Sequence, residues 1–113
     1  MWLFTVHGFY SIVQKAPGTW HVRAREKRDL ENLKKLTKLR IVIEESWPGS
    51  DYPFRIIVGN KAKDLIIQAL GDDVEYGNFK GEVGRRPSQA GKLPAYHEIW
   101  AIMAAHEKGA MIR

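Results

Sequence analysis

The first twenty-five residues, MWLFTVHGFYSIVQKAPGTWHVRAR, constrain the fold more than any other stretch of the chain. They predict a β-hairpin. Ala16-Pro17-Gly18-Thr19 has type II turn chemistry, because Pro presets the first central dihedral and Gly supplies a positive φ at the second. The return strand runs from Trp20 to Arg25. In it Trp20, Val22 and Ala24 alternate with His21, Arg23 and Arg25, which gives one apolar face and one basic face. The outgoing strand is expected from about Trp2 to Gln14. Trp2, Phe4, Val6, Tyr10 and Ile12 share one parity, and Leu3, Thr5, His7, Phe9, Ser11 and Val13 take the other. Gly8 interrupts this bulky run and marks either a bulge or a close backbone approach. With a bulge the two faces exchange after it, and the sequence leaves both arrangements open.

The rest of the chain supplies helices and two further strands. Asp29 is the expected N-cap of a first helix with Leu30, Leu33 and Leu36 as its buried stripe, leaving Lys34, Lys35 and Lys38 toward water. Arg40 to Glu45 is β-branched and reads as a third strand. Ser46 to Asp51 reads as a loop with Pro-Gly turn chemistry, and Phe54 to Val58 as a fourth strand. The clearest helix follows, with Ala62, Leu65, Ile66, Ala69 and Leu70 on one face, Asn60 capping its start and Gly71 its end. Asp73 to Val83 reads as a short or irregular helix, since Gly77 and Gly81 interrupt the spacing of Tyr76, Phe79 and Val83. Gly84 to Lys92 has no periodicity and reads as an exposed, mobile basic loop. A last helix starts near Pro94, with Tyr96, Ile99, Trp100 and Met103 as its stripe and Gly109 at its end.

The expected fold is therefore α+β. A four-stranded, mainly antiparallel sheet in ββαββα order carries helices packed on it and a further C-terminal helix. That order is a circular permutation of the ferredoxin-like βαββαβ arrangement, although the two ββα halves share no residue-level repeat. A chain of 113 residues fits one domain, 1–113, and buries roughly two thirds of its unfolded surface.

Charge narrows the function. Between Lys15 and Arg40 there are nine Lys and Arg against three acidic residues, while the rest of the chain has nine against ten. The whole excess of +5 thus sits in the second strand and the helix after it. Such clustering points to an anionic partner, and the competing account is a solvated helix face. No cysteine is present, which excludes disulfides, thiolate metal sites and cysteine catalysis. The apolar start lacks a basic n-region and is not expected to be a signal peptide. No apolar run approaches the length of a membrane span, so no membrane partner is expected.

No catalytic signature holds. His97-Glu98 begins the zinc-protease pattern HExxH, but Ala101 stands where the second His is needed. His7, His21 and His106 have no ligand spacing, so no metal or cofactor is expected. Gly77, Gly81 and Gly84 do not match a phosphate-binding GxGxxG, and there is no Walker loop or GxSxG elbow. One enzymatic reading survives: a metal-independent nuclease with His7 and His97 as acid and base and Lys80, Arg55 or Arg23 as the cation. A polar, tyrosine-rich set of Asp51, Tyr52 and Arg55 with Tyr76, Asn78, Lys80, Tyr96 and His97 forms either a pocket or a hydrogen-bonded seam.

The blocks Met1-Trp2-Leu3-Phe4-Thr5, Gly8-Phe9-Tyr10-Ser11 and Val13-Gln14-Lys15 resemble a group of small uncharacterised bacterial and phage-type proteins. So do Asp51-Tyr52-Pro53-Phe54-Arg55, Tyr76-Gly77-Asn78-Phe79-Lys80 and Tyr96-His97-Glu98-Ile99-Trp100. The resemblance spans nearly the whole chain. It implies a prokaryotic, cytoplasmic protein and assigns no activity to any residue.

The leading expectation is a small basic nucleic-acid-binding module, with single strands favoured over duplex. Bases would stack on a ring such as Tyr10 or Trp20, with Phe9 and His21 nearby. Phosphates would meet Arg23, Arg25, Lys27, Arg28, Lys34 and Lys35, helped by Arg85 and Arg86. The competing account puts the aromatics in the core and leaves the basic row as wet surface. The alternatives are a protein-interaction or homodimerising module, using the hairpin edge or the aromatic face, and the histidine nuclease.

Overall fold

Why the chain turns where it does is clearest at Thr5. In the computed structural model, which describes residues 1–45 and 49–109, the long outgoing strand is two strands, β1 (Trp2–Phe4) and β2 (Phe9–Ala16). The Thr5 hydroxyl donates to the Gly8 carbonyl at 2.8 Å and accepts from the His7 and Gly8 amides, both at 3.1 Å. One side chain thus satisfies the backbone of a four-residue turn, and Phe4 pairs directly with Phe9. The turn also exchanges the faces: Trp2 and Phe4 share a side with Phe9, Ser11 and Val13.

Gly8 is where the turn meets the first helix, α1 (Lys27–Thr37). A Cβ on Gly8 would lie 2.5 Å from both Cβ and Cγ of Asp29. Asp29 is buried, accepts the Phe9 amide on its carboxylate at 3.1 Å, and accepts the Tyr10 hydroxyl on its carbonyl at 2.6 Å. It is therefore not the N-cap, which is Glu26. Its carboxylate is spent on the strand rather than on the helix end. Gly8 marks a close backbone approach, as one of the two sequence readings required.

β2 continues through the Pro17-Gly18 turn, where Gly18 has φ +72°, into β3 (Thr19–Ala24). β4 (Phe54–Val58) then lies antiparallel beside β3, so the sheet is a meander in the order β1-β2-β3-β4. The mixed α+β class and the four-stranded antiparallel sheet are as expected, but the strands are partitioned differently. Arg40 to Glu45 is not a ladder strand: it joins β4 only through a two-way backbone bridge between Glu44 and Arg55. Its alternation is still used, because Ile41 and Ile43 pack against the core. Of the expected loop from Ser46 to Asp51, Ser46, Trp47 and Pro48 lie outside the described residues, and Gly49 has φ +79°.

The core forms where period-two and helical patterns meet. Tyr10, Ile12, Val22, Ala24, Ile56 and Val58 point to one side of the sheet and are buried with Leu30 and Leu33 of α1 and Ile66 of α2 (Asn60–Asp72). Gly59, not Asn60, is the N-cap of α2; the Asn60 side chain instead accepts the Trp20 indole N–H at 2.9 Å.

These elements make one compact unit, Met1–Glu75; a second begins at Tyr76. In the second, α3 (Phe79–Arg85) is capped by Asn78, whose side chain accepts the Gly81 amide at 2.7 Å. Gly84 to Lys92, expected to be an exposed, mobile basic loop, instead completes α3 with Gly84 and Arg85 and then forms hydrogen-bonded turns and a short 3-10 segment, Ala90–Lys92. Gln89 is fully buried there, and its side-chain oxygen accepts from the Lys92 ammonium at 3.0 Å. α4 (Leu93–Glu107) follows, with Pro94 in its first turn. Its expected stripe is buried only at Tyr96; Ile99, Trp100 and Met103 are exposed.

Candidate nucleic-acid interface

The sheet in the first unit has two unlike sides. α1 and α2 cover the side of Val22 and Ile56. On the other side, strand register places Trp2, Ser11, Arg23 and Arg55 in one row, one residue from each strand, with Glu44 at the β4 edge. The β3 alternation that is so plain in the sequence therefore holds, with its basic positions on the side away from the helices.

Aromatic rings extend this row. Trp2 meets the edge of Phe9 at 5.9 Å, Phe4 stacks on Phe9 at 4.7 Å, and Phe9 lies 6.3 Å from Tyr52. The guanidinium groups of Arg23 and Arg25 sit over the Tyr52 ring at 4.6 and 5.0 Å. A cation held over a ring can still donate at its edges to an anion, which the exposed Arg25 is best placed to do, since Arg23 gives one nitrogen to Ser11 and has its Nε buried. The series is graded in exposure. Trp2 is 65% exposed, Phe4 and Phe9 are half-buried, and Tyr52 is buried. Arg25 is exposed and Arg23 half-buried.

Beneath the rim the chemistry is polar and positive. Arg23 donates to the Ser11 hydroxyl at 2.7 Å. Arg55 is buried and donates to the Ser50 hydroxyl at 3.2 Å and to the Tyr52 carbonyl at 3.3 Å. Its other terminal nitrogen lies 3.0 Å from His21 Nδ1. A guanidinium only donates, so Nδ1 is the acceptor and the neutral ring carries its proton on Nε2. Burial, and then the charge of Arg55, lowers the His21 pKa from its usual value; Glu44 pulls the other way. Burial, then Arg23, lowers that of Arg55 as well. Among the described residues, neither Arg23 nor Arg25 forms an ion pair with a carboxylate. The surface thus holds net positive charge beside one exposed ring, Trp2, and two half-buried ones, Phe4 and Phe9.

The residues expected from sequence distribute unevenly. Tyr10 is fully enclosed in the core with its hydroxyl on the Asp29 carbonyl, so its ring offers no stacking surface. Trp20 lies on the helix side, with Lys63 over its ring at 4.6 Å. Alternation puts Trp20 with Val22 and Ala24, which is why it cannot share a face with Arg23. Lys27 is paired with Glu45 at 3.0 Å and Arg28 is exposed in the first turn of α1. Lys34 and Lys35 belong to the last turn of α1, which packs on the opposite side of the sheet from Arg23 and Arg25. Arg85 and Arg86 both pair with Glu82. Of the polar pocket set, Tyr52 and Arg55 come together, and Asp51 is exposed nearby in sequence. In the second unit Tyr76, Phe79 and Tyr96 form a row of rings at 6.4 and 5.5 Å, while Asn78 is spent as a cap.

The two histidines of the nuclease reading are each engaged locally. His7 pairs through Nε2 with Asp73, and its carbonyl accepts from the Asn32 side chain at 2.8 Å, which ties the Thr5 turn to both helices. His97 stacks on Trp100 at 5.8 Å with the Lys80 ammonium 3.4 Å from Nδ1. Among the described residues no cluster of three or more His, Asp or Glu is placed to hold a metal ion, and no helix is long and apolar enough to cross a membrane.

Sequence reasoning missed Trp2 and Phe4 as partners of the basic face. The signal was Gly8, the interruption after which a bulge exchanges the two faces. Comparison with protein-family models, curated proteins and solved structures found no match.

Proposed function

We propose that this chain is a small nucleic-acid-binding module that takes single strands on the sheet face of Trp2, Phe9, Arg23 and Arg25. The observation that carries the reading is the continuous series from the exposed Trp2 ring through Phe9 to Tyr52, ending under two guanidinium groups that have no carboxylate partner among the described residues. Unstacked bases of a single strand can lie on an exposed ring, and the flanking cations track the backbone. A duplex hides its base faces, so the ring would gain it nothing. Tyr10 and Trp20 leave the stacking role and Trp2 and Phe9 take it. The cytoplasm is the expected compartment, and the absence of cysteine is compatible with it.

Two substitutions separate the two halves of the proposal. Trp2→Ala should weaken single-strand binding by about 5- to 150-fold, the worth of one stacked base, and leave the salt slope unchanged. Arg25→Ala should lower the slope of log affinity against log salt by about 0.7, one phosphate contact on a single strand. Both side chains are exposed, so neither change threatens the fold. Binding that ignores both changes would rule this face out.

A further inference from the structure

α4 touches α3 on one side, where only Tyr96 is buried and Trp100 stays exposed, and carries a second apolar strip on the other. Toward α3 it presents Tyr96, His97 and Trp100, which meet Phe79 at 5.5 Å and Lys80 at 3.4 and 5.1 Å. At 100° per residue, Ile102 stands about 160° around the helix from Trp100. Ala95, Glu98, Ile99, Ala105 and His106 all fall within about 60° of Ile102. On this side Ile102 is 47% exposed and Ile99 37%, and no residue of the strip reaches the buried class. The helix is apolar on both sides, a pattern that ordinarily belongs to a helix covered all round.

The strip is complementary to itself. Ile102 lies midway along the chain between Glu98 and His106, and midway between Ile99 and Ala105. A two-fold axis at Ile102 pairs each residue with the one equally far on the other side, in an antiparallel helix pair. Ile102 then meets its own copy. Ile99 lies on the flank of the copy's His106 and Glu98 on that of its Ala105, so the small Ala105 leaves room beside Glu98. Each Glu98 carboxylate meets a His106 imidazole, an acceptor against a donor, twice per pair. The opposite, parallel arrangement would set Glu98 on Glu98 and His106 on His106.

We infer that α4 is a homodimerisation helix, pairing antiparallel with a second copy of this chain about a two-fold axis at Ile102. The contact is independent of the nucleic-acid face, since it uses none of that face's residues. The full chain should show a concentration-dependent monomer–dimer equilibrium in sedimentation. Ile102→Glu sets two carboxylates against each other on the axis and removes two buried apolar side chains, which should raise the dissociation constant at least about a hundredfold. Glu98→Lys should also weaken the dimer, and Glu98→Lys with His106→Glu should restore it to within about threefold of the unaltered chain. These side chains are exposed in the single chain, so circular dichroism should be unchanged. A chain that stays monomeric up to about 1 mM, or a dimer indifferent to Ile102→Glu, overturns the inference. Failure of the charge swap to restore a dimer weakened by Glu98→Lys overturns the antiparallel register.

Discussion

Replacing Gly8 by Ala should destabilise the first unit strongly, although backbone conformation alone argues the reverse. Gly8 is not at a positive φ. At such a site Gly→Ala ordinarily stabilises by about 0.4–1 kcal/mol, because the unfolded chain loses freedom. Here the new methyl would sit 2.5 Å from Cβ and Cγ of Asp29, far inside ordinary contact. Neither neighbour can yield cheaply, since the Asp29 Cβ is fixed by α1 and its carboxylate holds the Phe9 amide. Overpacking of a tight interior costs about 1–3 kcal/mol, and losing a hydrogen bond to a charged group about 1.5–3 kcal/mol more. Set against the entropic gain, the net expectation is a loss of about 1.5–5.5 kcal/mol, read as a lower urea midpoint with unchanged m. Asp29→Ala should not relieve the clash, because its Cβ remains, whereas Asp29→Gly should. The penalty for Gly8→Ala should therefore disappear in an Asp29→Gly background and fall to its overpacking part, about 1–3 kcal/mol, in an Asp29→Ala one. A single Gly8→Ala variant within about 0.5 kcal/mol of the original would refute the packing argument.

Three more outcomes follow from the interior and from the second unit. His21 is held below its usual pKa, so the unfolded state binds the proton more readily; stability should fall as pH drops below about 6.5 and level off below the folded-state pKa. In His21→Gln that part of the slope should vanish, as urea titrations at stepped pH would reveal; an unchanged slope would assign it elsewhere. Tyr10→Phe removes the hydroxyl from the buried Asp29 carbonyl and should cost about 1–2 kcal/mol while leaving single-strand affinity intact; lost affinity in a folded variant would return Tyr10 to the site. Asn78→Ala removes the α3 cap and should cost about 1 kcal/mol, measurable as earlier amide exchange at Gly81; unaltered exchange there would deny the cap its role.

Local pattern carried much of this fold. Pro17-Gly18 and the alternation from Trp20 to Arg25 located the β2–β3 hairpin and its two unlike faces, because turn chemistry and period two act within a few residues. The Ile66 face of α2 and the start of α4 at Pro94 were legible for the same reason. What escaped was set by distant partners. Thr5 ends a strand because its hydroxyl closes a turn, and Gly8 is small because Asp29, twenty-one residues on, occupies the space a methyl needs. Arg40 to Glu45 has the composition of a strand but joins β4 at only one bridge. Tyr10 and Trp20 carried the right chemistry on the wrong side: alternation places Trp20 with Val22 and Ala24 and Tyr10 with Ile12 toward the helices, while the exchange at the Thr5 turn brought Trp2 and Phe4 to the basic side. Tyr52, outside any strand, could not be foreseen as the ring under Arg23 and Arg25.

The central claim is that one face binds single strands through a ring and cations together. Fluorescence anisotropy with labelled single-stranded RNA, single-stranded DNA and duplex DNA, each at low and moderate salt, tests it most directly. The account predicts that both single strands bind more tightly than the duplex, and that affinity falls with salt by about 0.7 per phosphate contact on a log–log plot. Trp2→Ala should remove the preference and keep the slope. Equal affinity for all three ligands, or no binding even at low salt, would contradict it.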